Sequence, residues 1–175
     1  MKIIFTVILL HILATSCGQV LPSIIYRDTI NHFIINIPAG WRYGINKNYP
    51  HLKLISYRTS SDSLDKSHET FNVNIMRKEG SSLSKEFDKI IAVISNTREF
   101  TLLKKDTITI HGQTYKWFIE SHKNNDSAEP TNSMVFITYA HDRVYILTLI
   151  TLSKSFSKYQ DLFLETANSF LTNDL

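Results

Sequence analysis

Along most of this chain apolar and polar residues alternate with a period of two, and in two places the period lengthens to that of a helix. The alternation is cleanest over 70–77 (TFNVNIMR), where Phe71, Val73 and Ile75 share one face and Asn72, Asn74 and Met76 the other. Side chains of a strand point alternately to its two faces, so this reads as a half-buried strand. The run 32–37 (HFIINI) places Phe33, Ile35 and Ile37 together. In 52–57 (LKLISY), Leu52, Leu54 and Ser56 oppose Lys53, Ile55 and Tyr57. Pro38-Ala39-Gly40 ends the first of these, because proline lacks an amide donor and glycine admits a turn. The polar stretch 59–69 predicts a loop.

Over 83–96 the apolar positions become Leu83, Phe87, Ile90, Ile91 and Ile94, one stripe of an amphipathic helix, with Ser82 placed to cap it after Gly80. Strands are then expected at 100–110 and 115–122 around a turn at 111–113, followed by a polar loop over 123–132. Strands at 133–140 and 144–152 flank a hairpin turn at 141–143. The second of these (VYILTLITL) is apolar on both faces, which predicts a central strand covered from both sides. At the C-terminal end Tyr159, Leu162, Phe163, Ala167, Phe170 and Leu171 form a second helical stripe, and Ser157 and Gln160 have capping-box spacing. Short turns join antiparallel strands, and two helices separated by strands can cover opposite faces. The expected class is α+β: an antiparallel sheet flanked by helices.

Composition fits one globular domain: 175 residues, 43% hydrophobic and 20% charged, with no internal repeat. The single cysteine excludes a disulfide framework within the chain, a Cys-only zinc site and an iron–sulfur cluster. A formal charge of +3 is too small to argue for nucleic acid, and no nucleic-acid partner is expected.

That cysteine changes the picture most. The chain opens MKIIFTVILLHILATSC, with Lys2 as a positive start and an apolar run over 3–13. Eleven helical residues span about 16 Å, roughly half a bilayer core, which suits a secretory signal rather than a spanning helix. Leu13, Ala14, Thr15 and Ser16 then lead into Cys17. This resembles a bacterial lipoprotein signal, which implies cleavage before Cys17, a diacylglycerol on its sulfur and an acylated amine. A plain signal peptide with a coincidental cysteine is the alternative. Residues 1–16 are read as the signal, 17–25 as lipidated N-terminus and tether, and 26–175 as one domain. Removal of the signal takes away Lys2 and His11 and leaves a charge of +2. No Asp follows Cys17, and no acidic run follows it. By the enterobacterial sorting pattern this favours the periplasmic face of the outer membrane.

The segment FIINIPAGW (33–41) resembles the opening of PsbP-like proteins, a family named for an extrinsic subunit of photosystem II. The likeness continues through the strand 71–76, the helix after Leu83, the turn 111–113, TYAHDRVYILTLI (138–150) and FSKYQDLFLETANSF (156–170), covering roughly 28–172. It implies a central antiparallel sheet of about six strands in an α/β/α sandwich. Photosystem members help to retain ions at a metal cluster and bind protein partners, whereas many bacterial relatives are secreted proteins or lipoproteins of unassigned function. No ion-binding residue of the photosystem subunit carries over to a position here, and the lipoprotein signal differs from the plant targeting route. A photosynthetic role is therefore not implied.

Catalytic motifs are missing. There is no Gly-x-Ser-x-Gly elbow, no phosphate-binding loop, and no histidine pair at metal-ligand spacing, since His68-Glu69 is followed at the needed position by Asn72. A Ser–His–Asp set assembled in space remains open, because sequence spacing does not constrain it. Asp161 and Glu165, one helical turn apart, read as surface charge. No cofactor or metal is expected. The binding candidates are Trp41, Tyr43 and Tyr49, aromatic residues in an Asn-, Gly- and Pro-rich segment, with His141 and Asp142 in the last hairpin turn. Against that, Trp41 also reads as a core plug after the first strand, and the basic residues Arg42, Lys47, Lys53 and Arg58 as a solvated face. The expected function is a non-enzymatic, membrane-anchored module of the cell envelope. It would hold membrane lipid through Cys17 and an envelope protein through its loops or a sheet face. The alternatives are a small-molecule or metal-binding lipoprotein and, third, a hydrolase.

Overall fold

A computed structural model of the chain describes residues 23–45, 48–60, 69–79, 82–123 and 129–172. Cys17 and the signal lie outside the described residues, as do Lys47 and His68.

Among the described residues two sheets form. β1 (Ile24–Asp28) and β2 (Phe33–Ile37) make an antiparallel ribbon. The main sheet contains β3 (Trp41–Gly44), β4 (Leu52–Arg58), β5 (Thr70–Arg77), β6 (Thr101–Ile110), β7 (Gln113–His122), β8 (Thr131–Ala140) and β9 (Arg143–Leu152). Its order is β3-β4-β5-β9-β8-β7-β6, every pair antiparallel. Two helices complete the fold, α1 (Leu83–Ile94) and α2 (Phe156–Asn168). The class is α+β, with seven strands in the main sheet where the resemblance implied about six.

The central strand is β9, as its two-sided apolarity predicts. Its Tyr145, Leu147 and Leu149 belong to one buried cluster and Val144 to the other. The larger cluster is covered by α2 and β2: Phe163, Ala167 and Phe170 meet Phe33, Ile35, Ile37 and the inner residues of β4, β5 and β9. The second cluster lies under α1, where Phe87 meets Phe118, Val135, Ile137 and Val144. The helices therefore cover opposite faces. α1 is capped as expected, with Ser82 Oγ accepting from the Lys85 amide at 3.3 Å.

Four details depart from the sequence reading. β1 begins at Ile24, inside the segment assigned to the tether, because β2 supplies it with a full antiparallel partner. β3 is a strand of four residues, too short to show alternation. Ser157 lies inside α2 and does not cap it. A 3-10 turn (Ser153–Ser155) feeds that helix, and its cap residue Ser155 makes no side-chain cap bond. Phe170 and Leu171, assigned to the helical stripe, lie beyond the helix, and Leu171 exchanges two backbone hydrogen bonds with Ile34, both 2.9 Å. The C-terminal tail thus joins the ribbon.

Candidate ligand-binding clefts at the hairpin end of the sheet

Antiparallel order brings several turns to one end of the molecule. β6 and β7 are joined there by His111-Gly112, and β8 and β9 by His141-Asp142. Both loops are two residues long with positive φ at each position (49° and 82°; 48° and 56°), the backbone of a type I′ turn, which matches the twist of the strands it joins. Gly112 adopts this conformation without a Cβ penalty, whereas His141 and Asp142 adopt it as strained L-residues. The turn between β1 and β2 arrives at the same end. Asp28 closes it, one carboxylate oxygen accepting from the Asn31 amide and the other from the Asn31 side chain, each at 2.8 Å. His32, also at positive φ, stacks its ring on His141 at 4.9 Å.

The sheet anchors these turns. The buried Tyr145 hydroxyl donates to the Asn31 carbonyl at 2.9 Å. Burial raises the pKa of this phenol, against the nearby charge and hydrogen bond of Arg143, which lower it. His141 Nε2 donates to the Thr172 carbonyl at 2.7 Å, so its proton sits on that nitrogen. Thr172 in turn donates to Gln113 Oε1 at 2.7 Å, and Gln113 donates to Thr138 Oγ1 and the Tyr139 carbonyl.

Among the described residues, three clefts adjoin this framework. One of about 510 Å³ is lined by Tyr26, Asp28, Ile30, Ile45, Tyr49 and Lys53, among others. A second, of about 420 Å³, shares Asn31, Pro50 and Lys53 with it and adds His51, Arg77, His141, Asp142 and Arg143. A third, of about 500 Å³, follows beyond His141, against His111, Gln113 and Thr172. In the first cleft the Tyr26 phenol has a raised pKa, chiefly from burial and then from the neighbouring charge of Asp28.

The sequence candidates divide accordingly. Tyr49 (63% exposed) lines the first cleft, and His141 and Asp142 the second. Tyr43 is 44% exposed and meets Tyr26 edge-on at 5.5 Å, at the side of the ribbon. Trp41 does not join them. It is 7% exposed and stacks on Phe71 at 6.0 Å, so it fills the core and presents little surface to a ligand. Asn31, His51, Arg77 and Arg143 carried no signal of their own in the sequence. Arg77 and Arg143 each stand at a strand end beside a turn, and only the strand register places them together.

A different polar group lies toward the opposite end of the sheet. Glu120, 1% exposed, accepts from His122 Nδ1 at 2.9 Å, and His122 Nε2 lies 3.3 Å from the Thr131 hydroxyl. The order of groups is that of a hydrolase relay. However, Thr131 is itself buried and directly opposite His122 in the β7–β8 ladder, and its hydroxyl also approaches the His122 carbonyl. The trio satisfies buried polar atoms between two strands. Among the described residues no group of three or more His, Cys, Asp or Glu side chains is gathered to hold a metal ion.

No family model and no curated protein matches the sequence. Comparison of folds is informative. The chain matches the solution structure of cyanobacterial PsbP from Synechocystis sp. PCC 6803 over 91% of its own length and 99% of that chain, with a TM-score of 0.65 and 18% identity. The architecture is the PsbP fold. It extends to LpqN of Mycobacterium tuberculosis, a protein involved in cell envelope biogenesis, over 79% of this chain and 81% of that one (TM-score 0.59, 13% identity). It also extends to the Ran-binding protein Mog1p of Saccharomyces cerevisiae over 87% of this chain and 96% of that one (TM-score 0.59, 11% identity). At these identities the PsbP fold is what is shared, and it accompanies different functions.

Proposed function

We propose that this protein is a lipid-anchored, non-enzymatic interaction module of the bacterial cell envelope, facing the periplasm from the outer membrane. The observation that carries the reading is its fold: the same scaffold serves an envelope-biogenesis protein and a Ran-binding protein, by the names those proteins bear. The sequence Leu13-Ala14-Thr15-Ser16-Cys17 supplies the anchor. Acyl chains contribute about 0.8 kcal/mol per buried CH₂, so the several chains of a mature lipoprotein make a stable membrane anchor. The partner is an envelope protein engaged through the loops or a sheet face. A second reading, small-molecule carriage, is favoured by the clefts at the hairpin end.

Cys17→Ser tests the anchor. The variant is expected to leave the membrane fraction or to accumulate with its signal uncleaved, and wild-type fractionation with normal processing would overturn the assignment.

A further inference from the structure

Arg77 and Arg143 are directly opposite each other in the β5–β9 ladder. Like charges facing across a strand pair are destabilising unless something lies between or beside them. Among the described residues neither forms an ion pair; Arg143 Nη1 lies 3.5 Å from the Asn31 side-chain oxygen, and its guanidinium also neighbours the uncharged Tyr145 hydroxyl. Lys53 lines the same 420 Å³ cleft, its ammonium donating to the Pro50 carbonyl. Among the described residues Asp142 is the one carboxylate in the cleft wall, so three cations stand against a single negative charge, a surplus of +2 before either histidine is protonated. Asp28, which accepts two hydrogen bonds from Asn31, lines the adjoining cleft and not this one.

We infer that this cleft is an oxyanion site for a phosphate group, with Arg77 and Arg143 as the principal ligands and Lys53 as the third charge. A phosphate monoester carries about −1.5 to −2 at neutral pH, which balances the surplus, and guanidinium groups bind its oxygens in bidentate fashion. A carboxylate would neutralise only half of it. Asn31 and His51 also line the cleft, the Asn31 side-chain amide donating to Asp28 and His51 Nδ1 to the Ile75 carbonyl at 3.3 Å. The strained turn at His141-Asp142 forms one wall, and its backbone is held by the Lys78 amide donating to the Asp142 carbonyl at 3.0 Å. The phosphate can belong to a soluble compound or to a lipid headgroup, since the recognised chemistry is the same. The inference is independent of the anchor at Cys17.

The test is titration of the full-length protein in neutral detergent with inorganic phosphate, and separately with a short-chain phosphatidic acid, at constant ionic strength. Saturable one-to-one binding is expected. The double variant Arg77→Gln/Arg143→Gln should weaken it by at least about tenfold, since each charge-assisted hydrogen bond lost is worth that much. Lys85→Gln/Lys105→Gln removes the same charge from exposed positions on α1 and β6, outside the cleft, and should leave binding unchanged. Equal affinity for the two ligands identifies a soluble phosphate as the source. Much tighter phosphatidic acid binding, still lost in the arginine variant, identifies a headgroup. The arginine variant replaces solvent-accessible side chains, and thermal melting in chloride checks that it folds. Non-saturable binding of both ligands, or equal weakening in both double variants, overturns the inference.

Discussion

Phe163→Ala is expected to lower the unfolding free energy by about 3–5 kcal/mol, the usual cost of emptying a buried phenylalanine site. Phe163 is 1% exposed on α2 and sits in the larger core cluster beside Ala167 and Phe170, with Tyr159 stacked at 6.3 Å. It joins the helix to the sheet, so little of the cavity can collapse without moving α2. Domains of this size are stable by only about 5–15 kcal/mol, and the loss is therefore a large part of the total. Urea denaturation measures it directly: the midpoint should fall with the slope unchanged. A wild-type midpoint would mean that α2 does not seal the core.

Tyr115→Phe should reverse its effect with pH. The Tyr115 hydroxyl is buried and donates to the Phe170 carbonyl at 2.9 Å, and burial pushes its pKa far above that of a free phenol. Below pH 10 both folded and unfolded chains keep the proton, and loss of the hydrogen bond costs about 1 kcal/mol. Above pH 10 the unfolded chain releases a proton that the folded chain retains, so stability falls as pH rises, by about 1.4 kcal/mol per unit for this one group. The variant lacks that slope. The two stability curves should cross within about one unit above pH 10, and by pH 12 the variant should be the more stable by roughly 1.5–2 kcal/mol. Tyr145, also raised by burial, leaves a remaining slope in both proteins. Parallel curves across this range would show that Tyr115 is open to water.

The parts of the fold that could be read in the sequence were those with long, unbroken periods. The alternation of 70–77 matches β5, and the uniformly apolar 144–152 matches the central β9, because a strand buried on both sides has no polar face to show. The helical stripe beginning at Leu83 and its serine cap match α1. What escaped was short or dependent on distant partners. β1 is made of Ile24, Ile25, Tyr26, Arg27 and Asp28, whose strand character comes from pairing with β2 and not from alternation. Ser157 resembled a cap because Gln160 follows it at capping-box spacing, and the backbone used a 3-10 turn instead. The clefts illustrate the same limit. Tyr49, His141 and Asp142 were visible as turn residues, but the opposition of Arg77 and Arg143 depends on register, where a one-residue slip would put them on different faces. Trp41 read as a groove residue or, more readily, as a core plug, and its stacking on Phe71 puts it in the core.

The central claim, an anchored module that works by binding another envelope protein, is tested most directly by native mass spectrometry of the protein extracted from its own membrane in mild detergent. The account predicts an N-terminal peptide that begins at Cys17 and carries acyl mass, and a second protein bound in fixed stoichiometry that crosslinks to residues of the loops or a sheet face. A chain with unmodified Cys17, recovered alone both from the membrane and after crosslinking in the intact cell, would contradict it.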